Sequence, residues 1–133
     1  MVPRFQSMLL CALAASFSSC SSSPRKTAEK KLKRIGAERV RAEAAVFYKN
    51  MFAGVSTTFV TIKTEDCPAT FRMFNPQYVV GYRDGFSLAL ERGPSGESGL
   101  HIVPSQMDVL PSSGQGARFE RIADGIYWYS FRR

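Results

Sequence analysis

The chain has 133 residues, of which 44% are hydrophobic and 22% charged, and its formal net charge is +7. This length and balance predict one folded domain and argue against a disordered chain. A single histidine and three cysteines exclude a zinc finger, a multi-histidine metal centre and a dense disulfide scaffold, so we expect neither a metal nor another cofactor. No apolar run reaches the roughly 20 residues that a membrane-spanning helix needs.

Residues 1–19 have the pattern of a secretory signal peptide. Arg4 supplies a positive charge, an apolar stretch runs from Met8 to Ala15, and small residues follow up to Cys20. A charged start, a short apolar core and small residues before a cleavage point are the features that export signals share. The N-terminus therefore predicts export from the cytoplasm.

The segment Phe17-Ser18-Ser19-Cys20 resembles the lipobox of bacterial lipoproteins, with Phe17 where leucine is usual. In that family the cysteine receives lipid on its sulfur and becomes the new N-terminus, and here that residue is Cys20. The resemblance implies a lipid-anchored protein of the cell envelope, on the outer membrane or on the periplasmic face of the inner membrane. Two alternatives remain: cleavage near Ala15, giving a soluble secreted or periplasmic protein, or an unexported chain whose apolar N-terminus packs on the domain.

The segment that follows carries the positive charge of the mature chain. Residues 20–24 are rich in serine and predict a tether. Residues 25–53 contain no proline and are rich in Ala, Lys, Arg and Glu, which predicts one basic amphipathic helix. Nine basic and three acidic side chains lie in residues 25–50, whereas residues 51–133 hold eight of each.

A basic helix has three interpretations: a solvated surface, a surface that meets anionic lipid, and a nucleic-acid-binding surface. The candidate membrane-surface residues are Lys30, Lys31, Lys33 and Arg34. Nucleic-acid binding is disfavoured because the helix lacks interleaved aromatic residues and because an export signal precedes it. The expected partner is membrane lipid, through Cys20 and the helix, and we expect no nucleic acid.

Residues 54–133 predict an antiparallel β domain of about six strands. Asp84-Gly85 and Asp124-Gly125 each separate two runs of β-forming residues and predict tight hairpins. Each turn predicts which residues of its two strands lie opposite each other. These are Gly81 with Leu88 and Val79 with Leu90 in the first hairpin, and Ile122 with Tyr127 and Glu120 with Tyr129 in the second. In the first hairpin the expected core face holds Val79, Phe86, Leu88 and Leu90.

The remaining strand candidates are Ser56–Thr64 and the shorter Ala69–Phe74, Leu100–Val103 and Met107–Leu110. Residues 93–99 and 111–116 are rich in Gly, Pro and Ser and predict loops. One helix followed by about six strands predicts an α+β fold, with the N-terminal basic helix packed on a small antiparallel sheet or a barrel-like domain.

Cys67 and His101 are the residues on which an enzymatic hypothesis would depend. Cys67 lies beside Glu65 and Asp66, which oppose a reactive thiolate by charge repulsion. His101 alternates with Leu100 and Ile102 and should point away from them. We assign no catalytic and no metal-binding residue. If the chain is cleaved before Cys20 without lipidation, Cys20 and Cys67 could pair in a disulfide.

Alternating aromatic residues on two strands form a candidate binding face: Tyr78, Tyr82, Tyr127, Tyr129 and Phe131. Aromatic side chains exposed together could hold a sugar, a peptide or a partner protein. The competing interpretation is that they pack in the core or between sheet and helix.

The sequence thus favours a non-enzymatic envelope lipoprotein with a binding or structural role towards an unknown envelope protein or glycan. The alternatives are an exported thiol enzyme that uses Cys67 with His101, and a small secreted inhibitor or structural protein with a Cys20–Cys67 disulfide. The partner, the ligand and the oligomeric state do not follow from the residues.

Overall fold

The computed structural model of the chain describes residues 23–54, 56–111 and 116–132. The fold is α+β, with six antiparallel strands in one sheet. The helices are α1 (Pro24–Ile35), α2 (Ala37–Phe52) and the single-turn α3 (Ala69–Arg72), and a 3-10 turn spans Thr64–Asp66. The strands are β1 (Phe59–Ile62), β2 (Tyr78–Tyr82), β3 (Gly85–Gly93), β4 (Gly96–Ile102), β5 (Ala117–Ala123) and β6 (Ile126–Arg132).

Two helices replace the single helix expected over residues 25–53. Gly36 stops α1 because it adopts a φ of 97°, and its N–H donates to Leu32 O at 2.8 Å. The first helix also begins inside the expected tether. Ser23 Oγ accepts a hydrogen bond from Lys26 N at 3.2 Å, and Pro24 occupies the first helical turn, where its missing N–H costs nothing. No helix in the described ranges is long and apolar enough to cross a membrane.

The six strands form an open sheet in the order β1-β2-β3-β4-β6-β5, not a closed barrel. Three expectations about individual segments are wrong. Residues 107–110 form no strand. Residues 69–72 form a helical turn instead of a strand, because Pro68 O accepts from the N–H groups of Phe71 and Arg72. Residues 96–99 belong to β4, so the expected loop over 93–99 shrinks to the turn at Pro94 and Ser95.

The first hairpin has the expected faces but a different register. Its turn residues are Arg83 and Asp84, and Gly85 enters β3 with a φ of 140°. Gly81 therefore lies opposite Phe86, and Val79 lies opposite Leu88. The pairing differs from the expected one by two residues. Side chains alternate with a period of two, so Val79, Phe86 and Leu88 still face the core.

The second hairpin contains an irregularity that the sequence did not reveal. Ala123 pairs with Ile126, but the register shifts between Arg121 and Ala123. A bulge of one residue moves the preceding side chains to the other face of the sheet. As a result Phe119, and not Glu120, lies opposite Tyr129.

One face of the sheet is covered by the helices and forms the hydrophobic core. Phe86 lies at its centre, stacked on Phe47 of α2 at 5.3 Å between ring centroids and edge-on to Phe71 of α3 at the same separation. Val40 and Ala44 of α2 are completely buried against this face. The strand residues that share the core are Ile62, Val79, Leu88, Leu100, Ile102, Ile126 and Trp128.

Candidate functional site

A cavity on the face of the sheet opposite the helices

The face of the sheet that the helices leave uncovered contains a cavity of about 390 Å³. Four residues of the expected aromatic face line it: Tyr78, Tyr82, Tyr129 and Phe131. They come from β2 and β6, which are separated by β3 and β4, and a tyrosine of each strand reaches Glu97 of β4. The floor and the remaining wall hold Val80, Asp84, Ser87, Glu97, His101, Ala117 and Phe119.

The aromatic side chains differ in their access to solvent. Tyr82 is 38% exposed and Phe131 is 41% exposed, so both form the rim, whereas Tyr129 is only 7% exposed. Tyr127, the fifth residue of the expected face, is buried and lines a separate cavity together with Arg41 and part of the segment after β4. The structure therefore brings four of the five expected residues to one cavity.

Glu97 lies at one end of the cavity and accepts hydrogen bonds there. The Tyr129 hydroxyl donates to Glu97 Oε2 at 2.9 Å, and the Tyr78 hydroxyl donates to Glu97 Oε1. Burial, followed by the hydrogen bond to Glu97, raises the pKa of Tyr129, so this hydroxyl stays protonated and remains a donor. Outside the cavity the Arg92 guanidinium lies over the Tyr78 ring, 5.7 Å from its centroid.

Ser87, His101 and Asp84 lie together at the other end. Ser87 Oγ is 2.9 Å from His101 Nδ1, and His101 Nε2 is 3.7 Å from Asp84 Oδ1. His101 does point away from Leu100 and Ile102, as expected, yet it is only 2% exposed. Phe119 covers it edge-on at 5.4 Å between ring centroids. Burial lowers the pKa of His101 even though Asp84 opposes this shift, so the imidazole is neutral at pH 7.

A neutral His101 has one N–H and one acceptor nitrogen. The carboxylate beside Nε2 favours the proton on that atom, and Nε2 has no hydrogen-bond partner in the described part of the chain. Nδ1 then accepts from the Ser87 hydroxyl. This hydrogen bond leaves the lone pairs of Ser87 Oγ free for a ligand in the cavity.

The same three residues superficially match those of a serine hydrolase, but their placement does not support nucleophilic chemistry. Ser87 lies in the interior of the sheet, opposite Val80 on one side and His101 on the other. Backbone N–H groups there belong to the strand ladders, whereas a hydrolase needs N–H groups directed at the developing oxyanion. The geometry thus suits a binding role for Ser87.

Cys67 lies on the other side of the sheet from His101. It is buried in the core with the helix-facing residues, and its thiol donates to Lys63 O at 3.5 Å. Burial, together with Asp66, raises the pKa of this thiol to about 11, so it is protonated at pH 7. The structure does not bring Cys67 and His101 together, and Cys20, the partner in the alternative disulfide, lies outside the described residues.

The candidate membrane-surface residues are all on α1. Lys30, Lys33 and Arg34 are exposed, and Lys31 is partly buried. The start of this helix is tied to the sheet by Arg25, which contacts Glu120 of β5 at 2.6 Å. Cys20, the lipidation candidate, falls in the residues that are not described.

Sequence reasoning missed Asp84, Ser87, Glu97 and Phe119 as cavity residues. From the sequence, Glu97 is expected in a loop and Asp84 in a turn, and neither is expected to take part in binding. The expected pairing of Glu120 with Tyr129 directs Phe119 to the opposite face, because it omits the bulge after Arg121. The alternation of Ser87 with Phe86 and Leu88 was the available signal, since it places the serine on the face opposite the core.

Comparisons with protein-family models, with curated proteins and with solved structures found no match to this chain.

Proposed function

We propose that the protein is a non-enzymatic, lipid-anchored binding protein of a bacterial cell envelope, which holds its ligand on the helix-free face of its sheet. The observation that carries the proposal is the cavity between Tyr78, Tyr82, Tyr129 and Phe131. A concave site lined by aromatic groups, with a few polar groups at defined positions, is the usual form of a small-molecule site.

Two features support binding over a structural role for this face. The side chains of Glu97 and Ser87 are held in place by hydrogen bonds to Tyr129 and His101, so the cavity presents preorganised polar groups. The rim residues Tyr82 and Phe131 remain exposed. Exposed aromatic rings beside ordered polar groups give a ligand both contact area and orientation.

The binding proposal is tested by NMR titration of the purified full-length protein with two neutral probes, hexan-1-ol and phenol. We expect the amide shifts to change around the cavity, in β2, β4 and β6. Replacing the rim residue Phe131→Ala should weaken both probes by about tenfold, because it removes an aromatic wall. Met73→Ala is the matched control, since Met73 is 46% exposed on the helix side of the molecule.

If neither probe shifts the amides around the cavity, or if Met73→Ala weakens the probes as much as Phe131→Ala, the binding proposal is wrong. Thermal unfolding of both variants shows whether the fold is intact. Phe131 is 41% exposed near the end of β6, so its replacement should leave the fold unchanged.

The membrane anchor is the second part of the proposal, and the lipobox resemblance at Cys20 supports it. Ser23 caps α1 only three residues after Cys20, so a lipid on Cys20 would hold the exposed Lys30, Lys33 and Arg34 close to the membrane surface. One acyl chain binds a membrane weakly, and each nearby basic residue adds about 1 kcal/mol on anionic lipid.

An intact mass of the protein isolated from a bacterial host tests the anchor. A chain that begins at Cys20 and carries acyl groups supports it, and Cys20→Ala should then release the protein from the membrane fraction. A chain that begins near Ser16 and is lighter before reduction, by the hydrogens that a disulfide removes, contradicts it. That result favours the secreted protein with a Cys20–Cys67 bridge.

A further inference from the structure

We propose that the cavity recognises a primary ammonium group on an apolar carrier, such as an alkylamine or a lysine side chain. The inference rests on the binding function proposed above and names the chemistry of its ligand. It follows from three properties of the cavity: the groups at its two ends offer mainly hydrogen-bond acceptors, its charged side chains are acidic, and its walls are aromatic.

Three hydroxyl groups at the two ends of the cavity act as acceptors because their protons are already used inside the protein. The Tyr82 hydroxyl at the rim and the His101 Nε2–H, which faces Asp84, remain donors. Tyr78 and Tyr129 donate to Glu97, and Ser87 donates to His101. What these groups offer a ligand is lone pairs on the two phenol oxygens, on the Glu97 carboxylate and on Ser87 Oγ. A ligand that satisfies them must bring several donors, and an ammonium group brings three.

The charge of the cavity also favours an ammonium ligand. Its charged side chains are Asp84 and Glu97, and no lysine or arginine lines it among the residues that the structure describes. This contrasts with a chain whose net charge is +7. A carboxylate that is partly removed from water attracts an ammonium group strongly, and its hydrogen bonds are roughly twice as strong as neutral ones.

The walls supply the contact for an apolar carrier. Tyr82, Phe119 and Phe131 line the space between the two acidic ends. Cations are also attracted to aromatic faces, as the Arg92 guanidinium over the Tyr78 ring shows. Glu97 and His101 are four residues apart on β4, so the cavity extends about 13 Å along the strand. That length accommodates a linear carrier.

The test is isothermal titration of the full-length protein with three probes that share one carrier: hexylammonium, hexan-1-ol and hexanoate. We expect hexylammonium to bind at least about tenfold more tightly than hexan-1-ol, because a charged donor replaces a neutral one. Hexanoate should bind most weakly, since Asp84 and Glu97 repel it.

Glu97→Gln keeps the shape of the side chain and removes its charge. It should reduce hexylammonium binding by about tenfold and hexan-1-ol binding by a clearly smaller factor. Glu91→Gln is the matched control, because Glu91 is exposed on β3 and does not line the cavity. Tyr129→Phe is a second variant that removes one acceptor oxygen, and we expect it to weaken the amine more than the alcohol.

The outcomes distinguish a failure of the inference from a failure of the proposed function. If hexan-1-ol binds as tightly as hexylammonium, and Glu97→Gln affects both equally, the inference is wrong although the cavity still binds ligands. If none of the three probes binds, both the inference and the binding function are wrong. A tighter affinity for hexylammonium that Glu97→Gln abolishes and Glu91→Gln preserves supports both.

A fourth probe, Nα-acetyl-lysine methylamide, identifies the source of the ammonium group. Binding tighter than hexylammonium assigns the site to a lysine of a peptide or protein. Binding weaker than hexylammonium assigns it to a free alkylamine. Either order supports the inference, provided that the same loss occurs with Glu97→Gln.

Discussion

Aromatic residues line both faces of the sheet but are used differently on each. On the helix-covered face, Phe86, Phe47 and Phe71 contact one another in the core. On the other face, Tyr78 and Tyr129 direct their hydroxyls to Glu97, and Tyr82 and Phe131 remain exposed. The difference is one of coverage. Helices cover the first face, whereas the second face carries an open cavity. Aromatic content therefore does not identify a core, whereas the polar groups between the rings distinguish the open face.

The largest expected effect is on the core face. Phe86→Ala should reduce the free energy of unfolding by about 3–5 kcal/mol, because the residue is fully buried and its removal leaves a cavity. Phe131→Ala, on the open face, should cost about 1 kcal/mol or less. Urea unfolding measures the loss of unfolding free energy in both variants. Equal losses would mean that the open face is also core.

Arg41 secures the segment after β4 to the helix layer. Its guanidinium donates to the carbonyl oxygens of Val103 at 2.8 Å and of Pro104 and Met107 at 3.3 Å. Arg41→Met should therefore destabilise the protein by about 2 kcal/mol, because these carbonyls lose a charged donor.

Arg39→Met is the control for Arg41→Met on the same helix, since Arg39 is 62% exposed and contacts only Glu43 among the ion pairs described. It should change the free energy of unfolding by less than about 0.5 kcal/mol. Thermal unfolding compares the two variants. A loss for Arg39→Met that matches the loss for Arg41→Met would contradict the assigned role of Arg41.

Gly36 separates the two helices that cover the core face. A side chain at this position meets no atom within 4 Å, so Gly36→Ala tests the φ of 97° alone. We expect a loss of about 1 kcal/mol in unfolding free energy. Gly93→Ala, which also meets no atom within 4 Å, should change it by less than about 0.5 kcal/mol. Unchanged stability in Gly36→Ala would show that the break between the helices does not depend on glycine.

The last prediction concerns the pH dependence of stability that His101, on the open face, should cause. Burial lowers the pKa of His101 in the folded protein below its ordinary value of 6.5. Between the two pKa values the unfolded chain binds more protons, so stability should fall as the pH decreases below about 6.5. Urea unfolding from pH 7.5 to 5 should show this slope in the wild type and a smaller one in His101→Asn. Identical slopes would exclude His101 as the cause.

The sequence predicted the parts of the fold that depend on local patterns. The Asp-Gly pairs located both hairpins, and the period of two placed Val79, Phe86 and Leu88 on the core face despite a register that differs by two residues. What escaped prediction depends on single residues. Gly36 divides one helix into two, and the shift after Arg121 exchanges Phe119 for Glu120 beside Tyr129.

The candidate site was predicted only in its aromatic half. Tyr78 and Tyr82 alternate on one strand, so their common face could be seen from the sequence, and both line the cavity. The acceptor groups could not be predicted in the same way, because Glu97 meets Tyr129 only through the pairing of β4 with β6. Long-range strand order is not encoded in any local pattern of residues.

Intermolecular nuclear Overhauser effects between hexylammonium and the full-length protein test the account most directly, because they locate the ligand on one face of the sheet. We predict contacts from the alkyl chain to the ring protons of Tyr82 and Phe131, and from the carbon beside the nitrogen to Tyr78 and Tyr129, which flank Glu97. Contacts to Phe47 or other residues of the helix layer, or none to the cavity, would contradict it.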